Sequence, residues 1–281
     1  MTGLFNTFIS FFSFKFVVSA FIVGTLVALS ASLLGVTLVL RKFSMIGDGL
    51  SHVAFGALAL SVVLGASPLA FSLPFVVVAA VLLLRASENA RIGGDAAIAM
   101  VSTASLAAGV IAISLSTGMN ADVNSYLFGS LIALEKGDLV LSAVISLAVV
   151  VFYILFFNRI FALTFDESFA AAMGIRAGLY KTATAIVTAV TIAVGMRVIG
   201  AMLISALIIF PALTAMRLLK SFRGVSICAA VLSVINAFLG ITLSCLFSLP
   251  TGAAIVAVNA AAFCLFWIIS IVLRFAGGVK R

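Results

Sequence analysis

Residues 15–42 read KFVVSAFIVGTLVALSASLLGVTLVLRK, and between Lys15 and the Arg41–Lys42 pair no residue carries a charge. At 1.5 Å per residue the uncharged run 16–40 is long enough to cross a hydrocarbon core of about 30 Å as a helix. In lipid every backbone N–H and C=O must be satisfied within its own segment, which selects a helix over an open strand. This one stretch therefore predicts a membrane-spanning helix with basic residues at both mouths.

The rest of the chain repeats the pattern. Further apolar runs fall near 46–65, 70–85, 96–115, 139–157, 178–195, 198–216, 224–247 and 252–273. The 281 residues are 65% hydrophobic and 9% charged, with a mean hydropathy of +1.41; soluble domains carry roughly 25% charged residues. A soluble globular protein is excluded. The expected fold class is an all-α integral membrane protein, a polytopic helical bundle of about nine transmembrane helices, with eight as the alternative count. It forms a single transmembrane domain over 1–281, because no connection is long enough to hold a soluble one.

Two apolar pieces are read differently. The opening MTGLFNTFISFFSFKF has neither the positive n-region nor the cleavage site of a signal peptide. Its phenylalanines at 5, 8, 11 and 12 suit an interfacial segment over 1–15 that stays on the protein. The piece DVNSYLFGSLIAL, 122–134, is too short to span and is expected as a re-entrant or interfacial helix.

Charge placement orients the layout, since Lys and Arg collect on the cytoplasmic side. With the C-terminus inside, 13 of the 16 basic residues are cytoplasmic: Arg41, Lys42, Arg85, Arg91, Arg159, Arg176, Lys181, Arg217, Lys220, Arg223, Arg274, Lys280 and Arg281. Lys15, Lys136 and Arg197 are left outside, and the N-terminus is outside too. The net charge of +8 is scattered over the ends of apolar runs, so no nucleic-acid partner is expected. The three cysteines, Cys228, Cys245 and Cys264, lie inside late spans without CxxC spacing and read as small core residues.

One stretch stands apart: MIGDGLSHVAFGALAL, 45–60, holds the single histidine of the chain, His52, four residues after Asp48. Residues four apart share a helix face, so a carboxylate and an imidazole can meet at one point, a combination suited to Zn²⁺ or Mn²⁺. An ionised Asp inside a span costs roughly 2.5–3.5 kcal/mol, so it normally faces a cavity or a partner. Gly47, Gly49, Ser51, Ala54, Gly56 and Ala57 keep the helix thin. The alternative is structural, with Asp48 capping the helix and His52 bonding to a neighbouring span. Two ligands leave a divalent ion short of donors; a two-fold homodimer with this helix near its axis would double them.

Two further stretches have candidate roles. The cytoplasmic connection 158–181, NRIFALTFDESFAAAMGIRAGLYK, contains a helix-compatible piece, 164–176, opened by Asp166 and Glu167 and carrying Ala170, Ala171, Ala172 and Gly174. Acids suit a helix N-terminus. Small side chains suit insertion into a groove on another protein, and the pattern equally fits an ordinary surface linker helix. In VIGAMLISALIIFPALTAMRLLK, 198–220, Pro211 should kink the span, and Gly200, Ala201, Ser205 and Ala206 give it a small-residue face. It is either a gate or a packing feature.

Taken in order, LRKFSMIGDGLSHVAFG, DVNSYLFGSLIAL, LTFDESFAAAMGIR, VIGAMLISALIIFPALTAMRL and LPTGAAIVAVNAAAF resemble the ABC-3 family, the permease subunits of zinc, manganese and iron uptake ABC transporters. The likeness covers essentially the whole chain. It implies a homodimer in the bacterial inner membrane, a separate cytoplasmic ABC ATPase and an extracytoplasmic metal-binding protein. It assigns Asp48 and His52 to the transported metal and makes 164–176 the coupling helix. It implies no permanently bound cofactor, with the metal as cargo and ATP on the partner subunit. Ser248 departs from the pattern, since relatives often carry an acid there.

The sequence has no GxxxxGK[ST] loop, so the chain is not expected to be an enzyme and must borrow its ATPase. The competing reading is a stand-alone secondary transporter or channel for divalent cations, against which the scarcity of intramembrane acids counts. An intramembrane metalloprotease would need more than one histidine.

Overall fold

The computed structural model describes residues 15–88, 94–115, 127–129 and 136–276, and every regular element among them is helical. In chain order the helices are α1 (Lys15–Leu40), α2 (Ser44–Val63), α3 (Pro68–Glu88), α4 (Gly94–Leu115), α5 (Lys136–Leu155), α6 (Phe157–Phe165), α7 (Glu167–Ala172), α8 (Ala177–Ile199), α9 (Ala201–Met216), α10 (Phe222–Phe247) and α11 (Thr251–Ala276). The expected interfacial segment 1–15 lies outside the described residues except for its last position. Of 122–134 only 127–129 is described.

Eight helices, α1 to α5, α8, α10 and α11, are long and apolar enough to cross a membrane. The ninth expected span is α9, which has 16 residues and so reaches only about 24 Å. It starts three residues later than its apolar run because Gly200 interrupts it. With φ +103° and ψ 148°, Gly200 adopts a conformation open to glycine and strained for other residues, and α8 runs unbroken up to it.

Helices α1 and α9 form the centre of the bundle. α1 packs against α5, α8, α9 and α10, while α9 also touches α2 and α11. Their contact is so close that a Cβ on Gly35 of α1 would stand 1.8 Å from the carbonyl oxygen of Ile208 in α9. On one flank α2 lies tightly on α4, where a Cβ on Gly56 would come within 2.6 Å of the Ser105 carbonyl oxygen. On the other flank α10 packs on α11, with Gly240 facing the backbone of Ile255. Small residues at each crossing supply the close van der Waals packing that replaces hydrophobic drive inside lipid.

Several polar side chains within the spans turn inward. Ser32 Oγ donates to Ser233 Oγ at 3.0 Å between α1 and α10. Asn236 Nδ2 donates to Asn259 Oδ1 at 3.0 Å between α10 and α11, and Asn259 Nδ2 donates in turn to the Ile255 carbonyl at 2.9 Å. The three cysteines are free thiols, Cys264 exposed and the other two half-buried.

Charged residues separate the two ends of the bundle. At one end Glu167 meets Arg41 and Lys181; at the other, Arg197 Nη1 lies 2.7 Å from Asp138 Oδ2. The 127–129 segment rests at this second end. A Cβ on Gly129 would stand 2.3 Å from the Ile199 carbonyl carbon, and one on Gly252 would stand 2.7 Å from the Phe128 carbonyl oxygen. The segment thus covers the junction of α8, α9 and α11.

Candidate functional site

Asp48 and His52 belong to α2, a helix buried along most of its length. Between Ser44 and Ala59 the unburied positions are Ser44, Met45, Asp48 and His52. Met45, Asp48 and His52 are spaced i, i+3 and i+7, so they share one face and form its open stripe. Glycines 49 and 56 bring the adjoining side of the helix onto α4, with the site for a Gly49 Cβ only 2.6 Å from the Ile98 side chain.

The pair is arranged to receive a third partner. His52 Nε2 stands 3.6 Å from Asp48 Oδ2, longer than a hydrogen bond. His52 Nδ1 is buried with no hydrogen-bond partner. The Asp48 side chain is 41% exposed and that of His52 18%, so the carboxylate opens outward while the imidazole sits deeper. A carboxylate and an imidazole side by side on the open stripe match the donor types of a divalent transition ion. Asp48 makes no side-chain cap: the N-cap of α2 is Phe43, with no side-chain hydrogen bond. Among the described residues no group of three or more His, Cys, Asp or Glu could hold a metal.

Ser205 of α9, 9% exposed, comes near the Asp48 carboxylate. Pro211 is buried within α9 one and a half turns further on. Having no N–H, it frees the Leu207 carbonyl, next to the point where Gly35 meets Ile208. Gly200, expected on the small-residue face of this helix, lies outside it as the junction residue. The structure therefore brings Ser205 near Asp48 and His52, puts Pro211 on the same helix as Ser205, and leaves Gly200 just outside that helix, at its N-terminal junction. Sequence spacing could not reveal the approach of Ser205, since it links residues 157 positions apart.

The expected helix 164–176 is divided in two. Asp166, at φ −150° and ψ 102°, breaks it and caps α7 by accepting from the Phe169 N–H at 2.9 Å. α7 closes with the Gly174 N–H bonded to the Ala171 carbonyl and the Ile175 N–H to the Ala170 carbonyl, both at 3.0 Å. That double bond is a Schellman end, and it requires the positive φ of +81° that Gly174 supplies. Ala170 is fully buried against its own chain, so it faces inward. Ala171 and Gly174 are exposed. The outward surface that sequence reasoning missed is apolar: Phe165, Phe169 and Met173 are each 59–65% exposed. Their i, i+4, i+8 spacing was the available signal. Ser248 ends α10 in the left-handed conformation, φ 53° and ψ 39°.

The model of the ABC 3 transport family matches residues 13–270. The manganese transport system membrane protein MntC of Halalkalibacterium halodurans is 28% identical over 270 residues, 96% of this chain and 92% of that one. The high-affinity zinc uptake system membrane protein ZnuB of Haemophilus influenzae is 28% identical over 252 residues, 90% and 97% of the two chains. Among solved structures, PsaBC from Streptococcus pneumoniae in complex with Fab has a chain that superimposes with a TM-score of 0.86. It is 26% identical, and the match covers 97% of this chain and 99% of that one.

Proposed function

Because the chain belongs to the ABC 3 transport family, we propose that it is the membrane permease subunit of an ATP-driven importer of divalent transition metal ions, in which Asp48 and His52 hold the ion in transit. The observation that supports this most is the half-open Asp48–His52 pair on an otherwise buried helix. Zinc and manganese are the cargo we infer, because relatives at comparable identity are named for each. Aspartate and imidazole accommodate both ions.

A pair of donors is half a coordination shell. A two-fold homodimer bringing two copies of α2 together supplies two carboxylates and two imidazoles. Desolvation of the ion is then offset by four protein ligands, two of them anionic. α9 acts as the gate, because its Ser205 comes near the Asp48 carboxylate and its Pro211 allows it to bend. Opening and closing bias the carboxylate between facing its partner copy and facing Ser205.

The energy comes from elsewhere. A cytoplasmic ABC ATPase docks on the end of the bundle that carries α7, and an extracytoplasmic binding protein delivers metal to the opposite end, where 127–129 covers the α8–α9 junction. On this reading the protein is a multi-pass subunit of the bacterial inner membrane, with its C-terminus in the cytoplasm and no covalent chemistry of its own.

Reconstitution tests the reading. Proteoliposomes holding the chain with its ATPase and binding protein should take up zinc or manganese only when ATP is supplied on the ATPase side. Uptake by the chain alone, driven by an ion gradient, would contradict it.

A further inference from the structure

Glu167, the first residue of α7, turns away from the exposed Phe169–Met173 surface and is held by two cations of its own chain. Its Oε1 stands 2.7 Å from Lys181 Nζ at the start of α8, and its Oε2 stands 3.9 Å from Arg41 Nη2 at the end of α1. Both cations are largely covered, with side chains 12% and 14% exposed, while Glu167 is 47% exposed. One carboxylate thus ties the surface helix to two spans.

The Arg41 end leads to the metal site by a short, stiff route. Arg41 begins the three-residue turn between α1 and α2, in which Lys42 is held at φ +61°. The Phe43 N–H bonds to the Leu38 carbonyl at 2.8 Å, and the Arg41 guanidinium lies 5.1 Å from the centre of the Phe43 ring. α2 starts at the next residue, and Asp48 is one turn further on. α7 is equally firm, capped by Asp166, closed at Gly174 and seated on the fully buried Ala170. A displacement of α7 therefore pulls on the N-terminal end of the helix that carries Asp48 and His52.

We infer that Glu167 is a positioning residue: it transmits movement of α7 to α2 through Arg41, braced by Lys181, and is not itself a contact to the ATPase. This rests on the importer reading above and sharpens it, because it separates docking, assigned to the Phe165, Phe169 and Met173 surface, from transmission, assigned to the ion pairs beneath. Glu167 is itself half exposed, and glutamine keeps its length and an oxygen that accepts from Lys181, so Glu167→Gln leaves the fold and the docking surface in place.

The test uses the assembled complex in proteoliposomes, comparing wild type, Glu167→Gln, Glu167→Lys and the swapped pair Glu167→Lys with Lys181→Glu. Two quantities are read: the amount of ATPase that co-purifies, and the stimulation of ATP hydrolysis by metal-loaded binding protein. Glu167→Gln should retain the ATPase yet lose about fivefold or more of the stimulation, the lower end of typical coupling between two sites. Glu167→Lys should lose at least as much, and the swapped pair should regain part of it by restoring the 2.7 Å contact. Normal stimulation in Glu167→Gln overturns the inference, as does reduced ATPase co-purification, which would make Glu167 a docking contact. A wild-type chain that brings down no ATPase overturns the importer reading itself, and the inference falls with it.

Discussion

The Asp48 carboxylate and the His52 imidazole stand 3.6 Å apart on the open face of α2, with Ser205 of the proline-containing helix near the carboxylate. On the proposed reading, one acid serves both the cargo and the gate. If the Ser205 hydroxyl donates to that carboxylate during transport, a hydrogen bond to a charged group contributes about 1.5–3 kcal/mol, enough to bias the orientation of Asp48 by one to two orders of magnitude.

Ser205→Ala should therefore change the metal concentration for half-maximal uptake by about tenfold or more, by the magnitude of such a bond, while membrane insertion stays normal. Ser205→Thr keeps the hydroxyl and should restore most of the difference. Initial uptake rates measured against zinc and manganese concentration decide it; identical curves for wild type and Ser205→Ala would detach α9 from the site.

Packing at the bundle centre gives a second prediction. Gly35→Ala places a methyl where the Ile208 carbonyl oxygen already sits, and overpacking of this kind costs about 1–3 kcal/mol. The variant should lose thermal stability in detergent. Gly178→Ala, in the first turn of α8 with open space around it, should be neutral or stabilising by up to about 1 kcal/mol, since alanine is the better helix former. Equal melting temperatures for the two variants would contradict the close α1–α9 contact.

The surface of α7 yields a third. Phe169→Asp puts a charge on the exposed apolar face without touching the buried Ala170, and should reduce the ATPase that co-purifies. Gly174→Leu loses the Schellman end, because a leucine is strained at φ +81°, and should have a similar effect. Unchanged co-purification in both would move docking to another surface.

The spans and their order were legible because each is an apolar run bounded by charges, and the Asp48–His52 pair was legible because its i, i+4 spacing is local. What escaped was set by tertiary contact or by single backbone conformations. Gly200 reads as one more small residue of α9; only its positive φ and its contact with 127–129 show it to be a junction. Ala170 and Ala171 look alike in sequence, but one is buried and the other exposed. Of the partners of Glu167, Arg41 lies 126 positions away along the chain.

Topology can be checked with single cysteines in a background where Cys228, Cys245 and Cys264 are replaced. Asn120→Cys and Lys136→Cys should react with an impermeant thiol reagent from outside intact cells. Ala90→Cys and the exposed Ala171→Cys should react only after permeabilisation. Labelling at 120 with protection at 136 would mean that 122–134 crosses the membrane, reversing one half of the layout.

The most direct test of the central claim is ATP-dependent uptake of zinc and manganese by the reconstituted complex carrying Asp48→Ala or His52→Ala, with ATPase co-purification measured on the same samples. Each substitution removes one donor from every copy of α2 and leaves the α7 surface untouched. Uptake should be abolished in both variants while co-purification matches wild type. Near-normal uptake by both at limiting metal would contradict the assignment of the pair to the transported ion.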